Sequence, residues 1–294
     1  MPSPGLAAPP LARTGEPIHT IRPPTDLDAN KVALGASLFN DRRLSGDHRL
    51  ACTSCHDMSS NGATADAMTR IAGRANPAFN TPTVFNAAAN FRLGWRGNVR
   101  SLEVQTAALL ESHSVMQADI ATVVERLRQD PVVSQRFRTA YGKPPDRAAL
   151  LDAIASYERS LVTPGSRFDL WLQGNDTVLT AQELRGYRTF KAAGCISCHQ
   201  GVNVGGNLFQ RSGIFAPAAR HGTPILRVPS LRNVATTAPY FHDGSAATLP
   251  QAIKAMGSSQ LGVTLSPADI ADIAAFLQTL TGKSQGRPLT APDP

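Results

Sequence analysis

The sequence predicts a mainly α protein built as two related units, and three observations carry that prediction. Apolar residues recur at helical spacing in one segment after another, while the strict alternation of strands is sparse. The motif Cys-x-x-Cys-His occurs twice, at Cys52-Thr53-Ser54-Cys55-His56 and Cys195-Ile196-Ser197-Cys198-His199, and uses all 4 cysteines of the chain. Each motif follows a helical segment with Gly-x-x-x-Phe spacing, Gly35 to Phe39 and Gly186 to Phe190, although the first follows after a longer insertion. That pairing reads as an internal duplication, and 294 residues suit two domains of ordinary size.

Two thiols at this spacing can form thioethers to the vinyl groups of one haem, with the adjacent histidine under the ring as proximal iron ligand. A zinc knuckle and a thioredoxin-type redox pair are the other readings. Zinc would draw four ligands from both pairs and leaves the histidine after each pair unexplained. The expected architecture is therefore mainly α, with two cytochrome c-like domains that each carry one covalently attached c-type haem.

The elements follow in order. Residues 1–24 hold seven prolines and read as a mobile or draped arm. Residues 28–40 are helical by spacing and lead towards the first motif. From there to position 80 the chain is rich in Ser, Gly, Ala and Thr, a loop composition suited to wrapping a haem edge. Helices are predicted over 101–110, 119–128 and 146–161. Thr163-Pro164-Gly165-Ser166 breaks the pattern and marks the boundary, giving an arm at 1–24, a first haem domain at 25–165 and a second haem domain at 166–294. Thr180-Ala181-Gln182-Glu183 is a capping box for a helix to Ala193. A Gly/Pro-rich stretch over 201–245 precedes a short helix at 249–256, and Ser266-Pro267 opens the last helix.

Composition narrows the function classes. Hydrophobic content of 42% with 17% charged residues is that of a soluble globular chain, and no apolar run is long enough to span a bilayer. The start lacks the layout of a secretory signal, yet covalent haem attachment implies export to the bacterial periplasm, so a removed signal is expected. The net charge of +7 favours an acidic or neutral partner, less strongly once four haem propionates are added. No run interleaves basic with aromatic residues, so nucleic acid is not a partner.

The far side of each iron needs its own ligand. For the second haem the candidate is Met256, on a short helix before Gly257. Thioether ligation raises the potential of an electron store, although methionine is equally able to be core filler. Further motifs carry a family resemblance. Val228-Pro229-Ser230-Leu231-Arg232-Asn233-Val234 and Ala238-Pro239-Tyr240-Phe241-His242-Asp243-Gly244 resemble the bacterial di-haem cytochrome c peroxidases and MauG. So do Asn80-Thr81-Pro82-Thr83, Gly94-Trp95-Arg96-Gly97 and Ser101-Leu102-Glu103-x-Gln105. The resemblance covers about residues 30 to 283.

The resemblance implies that Met256 ligates the high-potential haem, that Trp95 lies between the haems and passes charge, and that Gln105 belongs to the peroxide site. It also implies a calcium ion between the domains, held at Asn80, Thr237 and Pro239, whose hard oxygens suit that ion. Asn80 and Thr237 are alternatively turn-capping residues. Two departures stand out. The loop histidine that many family peroxidases place on the first iron would fall near Ala72, where residues 57–80 offer only Met58 and Met68 besides non-ligands. The family glutamate ten residues after Gln105 is here Val115. His113 and Glu111 lie nearby as possible proton relays, and His113 is equally readable as a solvent-facing residue. His242 reads as a structural hydrogen-bonding group, and His19, His48 and His221 as surface residues.

The functional expectation is a periplasmic enzyme that reacts with hydrogen peroxide at the haem on His56, leaving the pair two oxidising equivalents above ferric. These would be filled from aromatic side chains, tryptophan above all, of a partner protein, as in MauG and the branch called MbnH. A cytochrome c peroxidase supplied by a small cytochrome or cupredoxin is the alternative, and a non-enzymatic electron-transfer cytochrome is the third. MauG itself uses tyrosine where this chain has Met256, which keeps the peroxidase reading open.

Overall fold

A computed structural model describes residues 12–68, 79–218 and 224–292. Its helices form two clusters, each built on a close crossing of two helices. In the first unit α1 (Ala29–Phe39) packs on α5 (Arg147–Ser160), with α2 (Leu102–Glu111), α3 (Ile120–Gln129) and α4 (Pro131–Tyr141) around them. In the second, α7 (Ala181–Ala192) packs on α9 (Pro267–Gln278), flanked by α6 (Arg167–Leu172) and α8 (Leu249–Met256). Gly35 and Gly186 stand at the two crossings: a Cβ on Gly35 would overlap the carbonyl oxygen of Ala153, and one on Gly186 that of Asp272. The glycines of the duplicated pattern are thus there to let backbones touch. The phenylalanines four residues on face the histidines of the motifs, with ring centroids 6.1 Å apart for Phe39–His56 and 6.4 Å for Phe190–His199.

Two helices lie beyond the sequence prediction. Asp130 accepts from Val132 and Val133 with Pro131 in the first turn, which starts α4, and Gly142 in the left-handed region ends it. Ser166 and Asp169 form a capping box for α6. Both signals are present in the sequence but short. Strand structure among the described residues is limited to two antiparallel hairpins. One pairs β1 (Phe209–Arg211) with β2 (Ile225–Arg227), with Phe209 opposite Arg227; the other pairs β3 (Lys283–Ser284) with β4 (Arg287–Pro288).

The chain ends cross over between the units. Ile18, 1% exposed, belongs to the second core, and Tyr187 and Lys191 both donate to Glu16. Near the other terminus Leu289 joins the first core. Thr163 lies buried in a polar knot that ties the units together. Asn86 Nδ2 donates to Thr163 Oγ1 at 2.8 Å, Thr163 N–H to Asn86 Oδ1 at 2.9 Å, and Gly282 N–H to Asn233 Oδ1 at 2.9 Å. Asn86 and Asn233 occupy matching left-handed positions before short 3-10 turns, with φ of 61° and 62°. The duplication therefore extends beyond the helices into the segments Pro82–Asn86 and Pro229–Asn233.

Candidate functional site

Both Cys-x-x-Cys-His motifs close the same tight turn. His56 N–H donates to Cys52 O at 3.0 Å and Cys55 N–H to Cys52 O at 3.1 Å; His199 and Cys198 repeat this on Cys195 O at 3.0 and 3.2 Å. The turn brings both thiols to one side and turns the histidine beneath them. Each ring is then held by its Nδ1, which lies 2.9 Å from Gly62 O for His56 and 3.3 Å from Val204 O for His199. With Nδ1 carrying the proton towards a carbonyl, Nε2 is the free lone pair, the form that ligates iron. Burial keeps both rings neutral, His199 down at about 4. Burial also pushes the Cys52 thiol up to about 12 and the Cys195 thiol to about 11.

The two thiol pairs pack on different cores, Cys52 on the first and Cys195 on the second. Among the described residues, no group of three or more His, Cys, Asp or Glu side chains could hold a metal ion by itself. The zinc reading, which needs both pairs at one ion, finds no support in this arrangement.

Around the second motif lies a cavity of about 260 Å³ whose walls include Cys195, Cys198, His199, Phe190 and Met256. It fits a haem in chemistry: two free thiols and a neutral imidazole at the C-terminal end of α7, apolar side chains from α8 and α9, and a thioether from the end of α8. Met256 is followed by a π-type turn, Gly257–Leu261. Trp95 reaches this cavity from the first unit, and Asn80, Thr237 and Pro239 lie on its wall as well. Trp95 Nε1 donates to Asn80 O at 2.8 Å, Asn80 N–H donates to His242 O at 2.7 Å, and the Trp95 and His242 rings meet edge to face at 6.3 Å. His242, buried at 4% exposure, and Trp95 hold equivalent places in the two repeats, each inside a loop closed by a bridge, Leu93–Val99 and Tyr240–Ala246.

The first site is less completely gathered. Gln105 lies on α2 with its Oε1 buried and without a hydrogen-bond partner, an acceptor still to be filled. Val115 is packed against the first core. His113 is exposed on the turn after α2, and Glu111 is paired at the surface with Arg147 at 2.8 Å, so neither is brought to the buried site. Met58 packs against the first core; the position of Ala72 and that of His221 lie outside the described residues. His19 and His48 are exposed.

One ionisable group was not anticipated. Glu158 on α5 is 9% exposed, at 3.5 Å from Thr106 Oγ1, and burial raises its carboxyl to about 7. It is near enough to raise the Cys52 thiol in turn. The signal was its place four residues after Ile154 and seven after Leu151, on the apolar stripe of α5.

Comparison with known proteins agrees with this geometry. A family model for di-haem cytochrome c peroxidase matches residues 29–177, and one for cytochrome c matches residues 184–281. The chain is 38% identical over 285 residues to the Cytochrome c551 peroxidase of Nitrosomonas europaea, covering 91% of this chain and 84% of that protein. It is 30% identical to the Methylamine utilization protein MauG of Methylorubrum extorquens, covering 90% and 82%. The solved structure of a MauG-like protein associated with microbial copper homeostasis superposes with a TM-score of 0.77 at 28% identity, over 90% of this chain and 94% of that one. No helix among the described residues is long and apolar enough to cross a membrane. Thioether-forming turns, paired helical units and relatives along nearly the whole length lead to one assignment: the chain belongs to the bacterial di-haem cytochrome c peroxidase and MauG family, haem-dependent oxidoreductases that use hydrogen peroxide and carry two c-type haems.

Proposed function

We propose that this enzyme directs the oxidising equivalents of peroxide to an aromatic side chain, tryptophan foremost, of a partner protein in the periplasm. The observation that carries this reading is Val115. Its side chain packs against the first apolar core, where the family pattern has a glutamate, so it moves no proton during peroxide cleavage. General acid–base help is typically worth about 10²–10⁴-fold. A scavenging peroxidase needs that factor at every turnover; an enzyme that matures one partner once does not. The basic charge of +7 also disfavours a basic small cytochrome as donor.

When bound, the haems supply peroxide activation and electron storage. The chain's own residues do the rest. Cys52 and Cys55, and Cys195 and Cys198, anchor the two groups, and His56 and His199 present Nε2 to them. Met256 and His199 line the same cavity of the second unit, and Met256 would supply a thioether ligand to the group bound there. In the first unit Gln105 would orient peroxide by accepting a hydrogen bond at its buried Oε1, and Glu158 is the buried acid of that unit. Trp95, held by Asn80 O, conducts between the units. Calcium would be held in this reading by Asn80, Thr237 and Pro239, which line the same cavity from both units and carry the hard oxygens that suit that ion.

The second reading is a cytochrome c peroxidase, reducing peroxide with electrons from a small cytochrome or cupredoxin. It is favoured by the 38% identity to a protein of that name and by a methionine at position 256. A non-enzymatic electron carrier is set aside by membership in a family of enzymes. The deciding experiment gives the holoprotein peroxide with reduced small cytochromes or cupredoxins, and separately with the product of the neighbouring gene. The expected result is a mass change on a tryptophan or other aromatic of that product, slowed in Trp95→Phe while both haems stay attached. Rapid donor oxidation with no mass change on any partner aromatic would make the enzyme a cytochrome c peroxidase instead.

A further inference from the structure

Two arginines of the second repeat are buried at the haem cavity, and they are not alike. Arg232 is held bidentately by Asp169, both bonds at 3.0 Å, with each side chain 1% exposed. Arg227, 5% exposed on β2, has no carboxylate partner among the described residues. Its Nε donates to Gly94 O at 3.1 Å, and its Nη1 reaches Asn90 Oδ1 and Val228 O, each at 3.3 Å. All three acceptors are neutral, and burial alone pulls the guanidinium down to about 10. A guanidinium stays charged in proteins, and an isolated charge out of water costs several kcal/mol unless an anion answers it. The cavity wall on which Arg227 lies includes Cys195, Cys198 and His199 and contains no Asp or Glu. The missing anion must therefore arrive with whatever fills the cavity.

We infer that Arg227 is the counter-ion for a propionate carboxylate of the second-unit haem, its remaining Nη2 donors closing on that carboxylate. The same residue also fastens the interdomain conductor. Arg227 N–H donates to Trp95 O at 2.9 Å while its Nε holds the adjoining Gly94 O. Haem binding would thus lock the Trp95 loop of the first unit onto the second through one side chain. This inference is independent of whether a partner side chain or a small cytochrome supplies the electrons.

The test uses the di-haem holoprotein with Arg227→Gln and Arg227→Lys. Thioether attachment should leave two haems per chain in both variants. Removing a buried positive charge beside the haem favours the ferric form. The midpoint of the second-unit haem should therefore fall in Arg227→Gln by an amount equivalent to about a tenfold change in the equilibrium, about 59 mV for one electron, with the first-unit midpoint unmoved. Resonance Raman should show a shifted propionate bending band in both variants, because Lys keeps the charge but not the planar fork. An unchanged second-unit midpoint in Arg227→Gln together with an unchanged propionate band would overturn the inference. If Arg227→Gln fails to retain two haems, the band in Arg227→Lys decides alone, and an unshifted band rejects it.

Discussion

Glu158 shows how burial acts on one residue. Its carboxyl titrates at about 7 in the fold, mainly through desolvation, with Arg159 opposing and Glu103 adding to the rise. The folded state therefore holds a proton that the unfolded chain, with an ordinary glutamate, releases near 4.5. Its contribution to stability is thus fully present below the unfolded value and is lost as pH rises through the folded one. The size is on the order of 3 kcal/mol. Glu158→Gln carries no such titration. Thermal melting of the holoprotein should give similar midpoints for variant and wild type near pH 4.5, and a higher midpoint for the variant at about pH 8. Equal pH dependence in both proteins would show that Glu158 is not the buried acid. Met256 makes a second prediction at this scale. Met256→Ala should lower the midpoint of the second-unit haem and alter its spin state, since a thioether favours ferrous iron. Unchanged potentials and spectra would reduce Met256 to packing.

At the scale of elements, two helix crossings set where the haem-binding turns stand. α1 meets α5 at Gly35 and α7 meets α9 at Gly186, with no room for a methyl group at either place. Phe39 and Phe190, one turn further on, lie against His56 and His199, so a displaced crossing displaces the ring. Gly35→Ala and Gly186→Ala should each destabilise by about 1–3 kcal/mol, the usual cost of overpacking. Gly15→Ala, where a Cβ meets open space, should be near neutral. Denaturation of the three holoproteins checks this, and loss of stability in Gly15→Ala equal to the others would remove the packing argument. The Gly-x-x-x-Phe spacing was visible in the sequence; its reason, contact with a carbonyl on a helix far along the chain, was not.

For the whole molecule, the units are interlocked rather than strung together. Ile18 enters the second core, Leu289 enters the first, and Asn61 Nδ2 of the first haem loop donates to Thr236 O of the second unit. The wall formed by Asn80, Thr237 and Pro239 belongs to this junction and also carries Trp95 through Asn80 O. If calcium is held at this wall as proposed, a chelator should lower the melting temperature and slow electron exchange between the haems, with both effects reversed by added calcium. Melting and exchange rates indifferent to chelator and calcium would leave the wall without an ion.

The sequence by itself determined the cofactor chemistry, the helical class and the duplication. These depend on residue types at short fixed spacing: a thiol pair with its histidine, an apolar stripe every three or four residues, Ser or Thr before a first turn. It also supplied the family pattern that singled out Trp95, Gln105 and Met256. Only the tertiary structure decided which groups lose their water. His113 and Glu158 are both titratable residues of the first unit, yet one is exposed and the other buried. Arg227 and Arg232 stand five residues apart, yet among the described residues only Arg232 has a carboxylate across from it. Those differences come from what distant segments bring to the same place, and charge, proton affinity and ligand demand are set there, by desolvation and by the partner that folding delivers or withholds.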